Sequence, residues 1–393
     1  MLLAICLPLP EAAAAIRSAW DSGWAVAPLD PRAPEPERAR ALDAIRPTHV
    51  LDGTGEHPWL GGQAPPPDVA AVVLTSGTTG HPLAVELTWS GLEASAAAVR
   101  QALGTTSIDR WLCCLPLHHV GGLAVVGRAW ASRVPVTELP RFDVDAVASA
   151  NANLVSLVPT QVRRLIAADV DLTRFRHILV GGTAVSDDVR ALPNVIPTYG
   201  LTETWGGVVH DGHPLEGVTV DLAPDGTILL LTPTVMRGYR LDDAATADAF
   251  TGEGYLRTGD VGRWAPDGRL EIVDRRRDLV ISGGVNVSPT EVEAVLARHP
   301  RVADVAVAGA ADDEWGQRVV AFVVPEDPAD PPTLEQLRRF ARKSLAPSKL
   351  PRQVQVVAQI PRTPGGKAIR RLLIVPPTLR PFPARDTRPR GLH

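Results

Sequence analysis

One short run, Thr75-Ser76-Gly77-Thr78-Thr79-Gly80, sets hydroxyl side chains and glycines directly after an apolar stretch at residues 69–74. Such a stretch reads as a buried strand. Glycines let the backbone approach a ligand closely, and hydroxyl and backbone N–H donors together can surround phosphate oxygens. The run is not the common nucleotide P-loop, because His81 follows Gly80 where that motif carries lysine. Taken alone, a polar turn after a strand is the competing reading.

Lysine usage supplies a second signal. The chain draws almost all its positive charge from arginine and has only three lysines, Lys343, Lys349 and Lys367. A lysine retained against that bias suggests a need for a compact ammonium that a guanidinium fork cannot imitate. Lys367 ends the turn Pro361-Arg362-Thr363-Pro364-Gly365-Gly366-Lys367, whereas Lys343 and Lys349 read as chance surface placements. The pair His118-His119 invites a metal reading, but neighbours along a chain are expected to point apart.

Together with the loop at 75–80, three further segments occur in order: Tyr199-Gly200-Leu201-Thr202-Glu203, Tyr255-Leu256-Arg257-Thr258-Gly259-Asp260 and the turn ending at Lys367. This ordered set resembles the signature motifs of the adenylate-forming superfamily of acyl- and aryl-CoA synthetases, peptide-synthetase adenylation domains and luciferase. The resemblance implies activation of a carboxylic acid by ATP and Mg2+ to an acyl-adenylate, then transfer to coenzyme A. Glu203, beside Thr202, matches the family position that helps hold Mg2+. Tyr199 and Gly200 match the adenine site, and Gly181, Gly182 and Thr183 line the base and acyl pocket. Asp260 and Arg275 match the ribose-binding pair, and Lys367 the adenylation lysine. Arg277 matches the hinge about which a lid rotates to present Gly283 and Gly284 to the thiol. His119 takes the place of the residue that gates the acyl pocket.

Two departures stand out. The loop begins earlier in the chain than in most members, as if the N-terminal domain were truncated at its start, and Leu83 replaces the usual lysine after Pro82. The segments at 156–161 and 179–184 resemble the o-succinylbenzoate–CoA ligase subgroup of menaquinone biosynthesis. That acid carries two carboxylates, and Arg128, nine residues beyond His119, is the candidate bidentate partner for the one that does not react. A solvent-facing helical arginine is an almost equal reading. A general aryl- or acyl-CoA ligase, a carrier-protein-loading adenylation enzyme and a non-catalytic nucleotide-binding homologue remain open alternatives.

These residues need an α/β frame. Helical segments at 11–22, 36–45 and 90–103 alternate with strand-like ones at 24–29, 111–117, 153–158 and 177–182, which implies parallel sheets. Residues 217–235 read as an antiparallel β unit. The expected division is a large body at 1–276, a small α+β lid at 277–375 and a disordered tail at 376–393. A net charge of −4 gives no footprint for nucleic acid. No apolar run reaches the roughly 18 residues of a membrane span. Three cysteines without metal spacing suit a reducing cytoplasm. The expected partner is a small carboxylic acid, with a homodimer allowed.

Overall fold

The computed structural model describes residues 1–75, 83–182, 185, 187–274, 280–287, 289–361, 368 and 370–373. Two seven-stranded sheets form the body. In the first, Leu2–Ile5, Ala25–Pro28, His49–Asp52 and Val69–Thr75 run parallel, and Leu83–Thr88 returns antiparallel beside the last of these. The second sheet is parallel through Val136–Glu138, Trp111–Cys113, Leu154–Leu157, His177–Val180 and Val195–Leu201, then turns back through Gly206–His210. Both sheets are therefore mixed where the sequence suggested parallel ones. Residues 76–82 separate Val69–Thr75 from Leu83–Thr88, and residues 202–205 separate Val195–Leu201 from Gly206–His210. Both connections are shorter than the dozen or so residues a parallel crossover needs, so each following strand pairs antiparallel.

The strand expected over 111–117 ends at Cys113, although the chain stays buried to Leu115. Helices cover the sheets as their apolar faces require. Trp89–Leu103 begins where Thr88 Oγ1 accepts the amide of Gly91 at 3.0 Å, and ends at Gly104 in the left-handed region. One continuous core joins the sheets, from Val26, Val73 and Val85 through Leu92 and Leu123 to Trp111, Leu154 and Leu179. The expected antiparallel unit is present as a four-stranded sheet, Thr219–Leu222, Thr227–Leu231, Leu256–Trp264 and Leu270–Asp274.

The C-terminal segment has cores of its own. Val280, Val292, Val305, Val319 and Leu337 pack in one, and Ala306, Phe322 and Ile360 in another. Its five-stranded sheet includes Val302–Asp312 and Gly316–Pro325. Polar contacts fasten this unit to the body. Lys349 Nζ reaches Glu37 Oε1 at 2.5 Å and Glu291 Oε1 at 3.0 Å, and Arg164 meets Glu314 at 2.9 Å. Lys349 is thus no chance surface residue: one ammonium joins a carboxylate of the body to one of the smaller unit.

Candidate active site

The candidate residues gather at the carboxyl ends of parallel strands, where open α/β sheets bind ligands. Thr75 ends Val69–Thr75, Gly181 follows His177–Val180, and Thr202 follows Val195–Leu201. Around Gly200 the backbone is packed against itself. A Cβ there would lie 1.8 Å from the carbonyl oxygen of Gly206, so no larger residue fits. Trp205, fully buried, donates its indole N–H to Thr88 O at 3.1 Å and fixes this turn against the first sheet.

Asp260 lies within the strand Leu256–Trp264. The register explains its display. Arg257 pairs with Leu229 and Val261 with Thr227, so extra residues bulge out at Thr258–Gly259, with Gly259 at φ 72°. Asp260 is buried, its amide donates to Thr258 Oγ1 at 3.1 Å, and its Oδ2 accepts the Tyr199 hydroxyl at 2.9 Å. The structure thus brings together two residues that lie far apart in sequence.

Glu203 stands in the single 3-10 turn Thr202–Thr204. Its Oε1 accepts the hydroxyl of Tyr239 at 2.8 Å. Tyr239 pairs with Val85 at the edge of the first sheet, so this bond joins the two sheets at the carboxylate. Sequence reasoning missed Tyr239. Its rarity was the available signal, because the chain has only three tyrosines and two of them hold the site's acids.

The opposite wall is built from the helix Val120–Ser132 and the second sheet. His119 precedes the helix, and its ring lies 4.4 Å from that of His118, so the rings touch instead of pointing apart. The backbone turns between them as it enters the helix. Burial pushes His118 down to about 4 and His119 to about 3, so both are neutral near pH 7. No cluster of three metal-ligating side chains exists among the described residues.

Arg128 is only 6% exposed, which decides against the solvent-facing reading. Its guanidinium lies 5.1 Å over the Trp111 ring, and Nη2 reaches Ser156 Oγ at 3.4 Å. Among the described residues no carboxylate pairs with it, and its Nε has no partner. Burial lowers its pKa to about 10, which leaves it cationic at neutral pH.

Gly283 and Gly284 form the left-handed turn between Val280–Ser282 and Val285–Val287. This tip of the smaller unit presses on the body, where a Cβ on Gly284 would come within 2.7 Å of Val158 Cγ1 and one on Gly182 within 3.8 Å of Gly284. Only glycine permits that approach. Ser76, Gly77, Thr78, Thr79, Gly80, Thr183, Arg275, Arg277 and Lys367, and the tail at 376–393, lie outside the described residues.

The family model for the AMP-binding enzyme matches residues 56–283, and that for the AMP-binding enzyme C-terminal domain matches 291–367. The chain belongs to the AMP-binding enzyme family. Among relatives of this family, it is 38% identical over 363 residues to a probable 2-succinylbenzoate–CoA ligase of Mycobacterium tuberculosis, covering 86% of this chain and 94% of that one. Its fold is similar to o-succinylbenzoate CoA synthetase from Bacillus subtilis bound with a product analogue. The TM-score there is 0.84 at 28% identity, over 94% of this chain and 87% of that one. Against the Bacillus enzyme in complex with ATP and magnesium ion, the TM-score is 0.65 at 29% identity, over 95% and 89%. Identity and coverage barely differ between the two.

Proposed function

We propose that this AMP-binding enzyme is an acid–CoA ligase that uses ATP, Mg2+ and coenzyme A, and that its acid is o-succinylbenzoate. In the first step a carboxylate oxygen attacks the α-phosphorus of ATP and pyrophosphate leaves. In the second the thiol sulfur attacks the acyl carbon, AMP leaves, and the thiol proton goes to solvent. The carboxylate is already nucleophilic, so the first barrier is electrostatic: two anions must meet while charge builds on the leaving group. Mg2+ supplies the positive charge when bound, and Glu203 is the carboxylate to hold it. Asp260 and Tyr199 take the nucleoside, and Lys367 approaches the reacting bond during adenylation.

The observation that carries the choice of acid is Arg128, a buried cation with no carboxylate partner among the described residues. A buried unpaired charge is costly, and the non-reacting carboxylate of a dianionic acid would remove that cost. The glycine turn at Gly283-Gly284, seated against Val158 and Gly182, supports coenzyme A as acceptor, since a slender pantetheine arm needs such bare backbone. Its seating, with the higher similarity to the product-analogue complex, fits a chain poised for thioester formation and swinging about Arg277. Three buried free cysteines fit the reducing cytoplasm that we assign to it.

ATP–pyrophosphate exchange across a panel of acids tests this reading. Exchange should be strongest with o-succinylbenzoate, and thioester should form only with coenzyme A. Preference for benzoate or a fatty acid would make it a general ligase, and indifference to coenzyme A a carrier-loading enzyme.

A further inference from the structure

Arg128 is not the only polar group left open in the acyl wall. His210 ends the strand Gly206–His210, where it pairs with Thr198 of Val195–Leu201. It is 8% exposed, and its Nδ1 is buried without a partner among the described residues. The charge of Arg128 reaches it, and the helix carrying Arg128 packs on this strand. The strand is bare beside the ring: a Cβ on Gly207 would lie 3.7 Å from His210 Nε2 and 3.5 Å from Thr198 Oγ1. The Arg128 Nε and His210 Nδ1 are thus two open valences on facing elements, one cationic and one neutral. A buried polar group without a partner costs free energy, so two together point to a ligand that satisfies both.

We propose that His210 is a specificity-determining residue that donates from Nδ1 to the non-reacting carboxylate of the acid while Arg128 neutralises its charge. This deepens the functional reading above and rests on it. A carboxylate has two oxygens and about four acceptor directions, so it can take the guanidinium on one side and an imidazole N–H on another. The ring need not be charged to donate. Burial, with Arg128 near it, pushes His210 down to about 4, so at neutral pH it is the neutral ring with one N–H. Two cations crowded on one carboxylate would repel each other, and a neutral donor avoids that.

The test measures KM for o-succinylbenzoate and for ATP, and the inhibition constant of an analogue lacking the non-reacting carboxylate. His210→Phe keeps bulk and removes the donor; it should raise KM for o-succinylbenzoate roughly ten- to hundredfold. The analogue's inhibition constant and KM for ATP should stay within about twofold, because neither ligand uses this donor. His210→Asn places an amide N–H near the Nδ1 position and should recover most of the loss, whereas His210→Gln, which mimics Nε2, should not. An unchanged KM for o-succinylbenzoate in His210→Phe, or an equal weakening of the analogue, would overturn the proposal. If the Phe variant does not fold, equal KM values for the Asn and Gln variants do the same. The two readings fail separately. Wild-type enzyme that binds o-succinylbenzoate no tighter than the analogue sinks the dicarboxylate site as a whole. Loss in Arg128→Ala with none in His210→Phe sinks only the role of His210.

Discussion

The two sides of the candidate site treat buried polarity in opposite ways. On the side that we assign to the nucleotide, Asp260 holds Tyr199 at 2.9 Å and Glu203 holds Tyr239 at 2.8 Å. These acids are tied in place before any ligand arrives. On the acyl side, Arg128 Nε and His210 Nδ1 are buried with no hydrogen-bond partner among the described residues. The difference separates two tasks. A ligand common to a whole family can be met by a rigid, internally satisfied frame. A particular acid is selected more sharply by groups that suffer when the wrong acid leaves them unpaired, since an unmade buried bond costs more than a made one gains.

The largest effect should come from Arg128→Ala. Loss of one member of a buried charge pair costs about 2–5 kcal/mol, so KM for o-succinylbenzoate should rise on the order of a hundredfold or more, with KM for ATP nearly unchanged. A matching rise for ATP would dissolve the division between the two sides. Next is Tyr239→Phe, which removes the hydrogen bond that orients Glu203. Groups behind a metal ligand are worth about 10–100-fold in metal affinity, so Mg2+ titration of the exchange rate should shift by that factor. The acid's KM should not follow.

Tyr199→Phe should be milder. Losing a hydrogen bond to a charged group costs about 1.5 kcal/mol, roughly a tenfold rise in KM for ATP by initial-rate kinetics. The smallest effect is the response to pH near neutrality. Folded His118 and His210 stay neutral down to about 4 and His119 to about 3, whereas the unfolded chain protonates them near 6.5. Below pH 6.5 the unfolded state binds more protons, so acid favours unfolding. Their contribution to stability is full above 6.5, is lost as pH falls through that window, and is gone below about 3. The Tm followed by tryptophan fluorescence should be flat from pH 7 to 8 and fall below 6. A decline between 7 and 8 traced by substitution to any of these histidines would contradict their burial as neutral rings.

The two candidate carboxylates were reached through the motif resemblance, each by a fixed neighbour, Thr202 before Glu203 and Gly259 before Asp260. The alternation of helix and strand likewise placed Trp89–Leu103 and Leu154–Leu157 nearly to the residue. What the sequence could not show was pairing across the fold. Tyr239 meets Glu203 only because a two-residue strand joins the edge of the first sheet, and a two-residue strand has no periodicity to read. The burial of Arg128 was equally hidden, since a helix of small and apolar residues such as Val120–Ser132 offers no polar stripe to tell its faces apart. His210 belongs to no recognisable run, and a lone histidine on a strand most often means only a filled core position.

Gly200 has a consequence for how such chains would age. The carbonyl of Gly206 excludes any side chain there, whatever the protein binds or catalyses. A descendant that had lost its chemistry would still need that glycine to fold, whereas the carboxylate at 203 would keep only its bond to Tyr239 once the Mg2+ role we propose for it was gone. Within the Tyr-Gly-Leu-Thr-Glu run, the glycine would therefore mark ancestry, and the glutamate, in the Mg2+ role we propose for it, activity. Among diverged copies of this chain, loss of the acid with the glycine kept would be the signature of an enzyme turned scaffold.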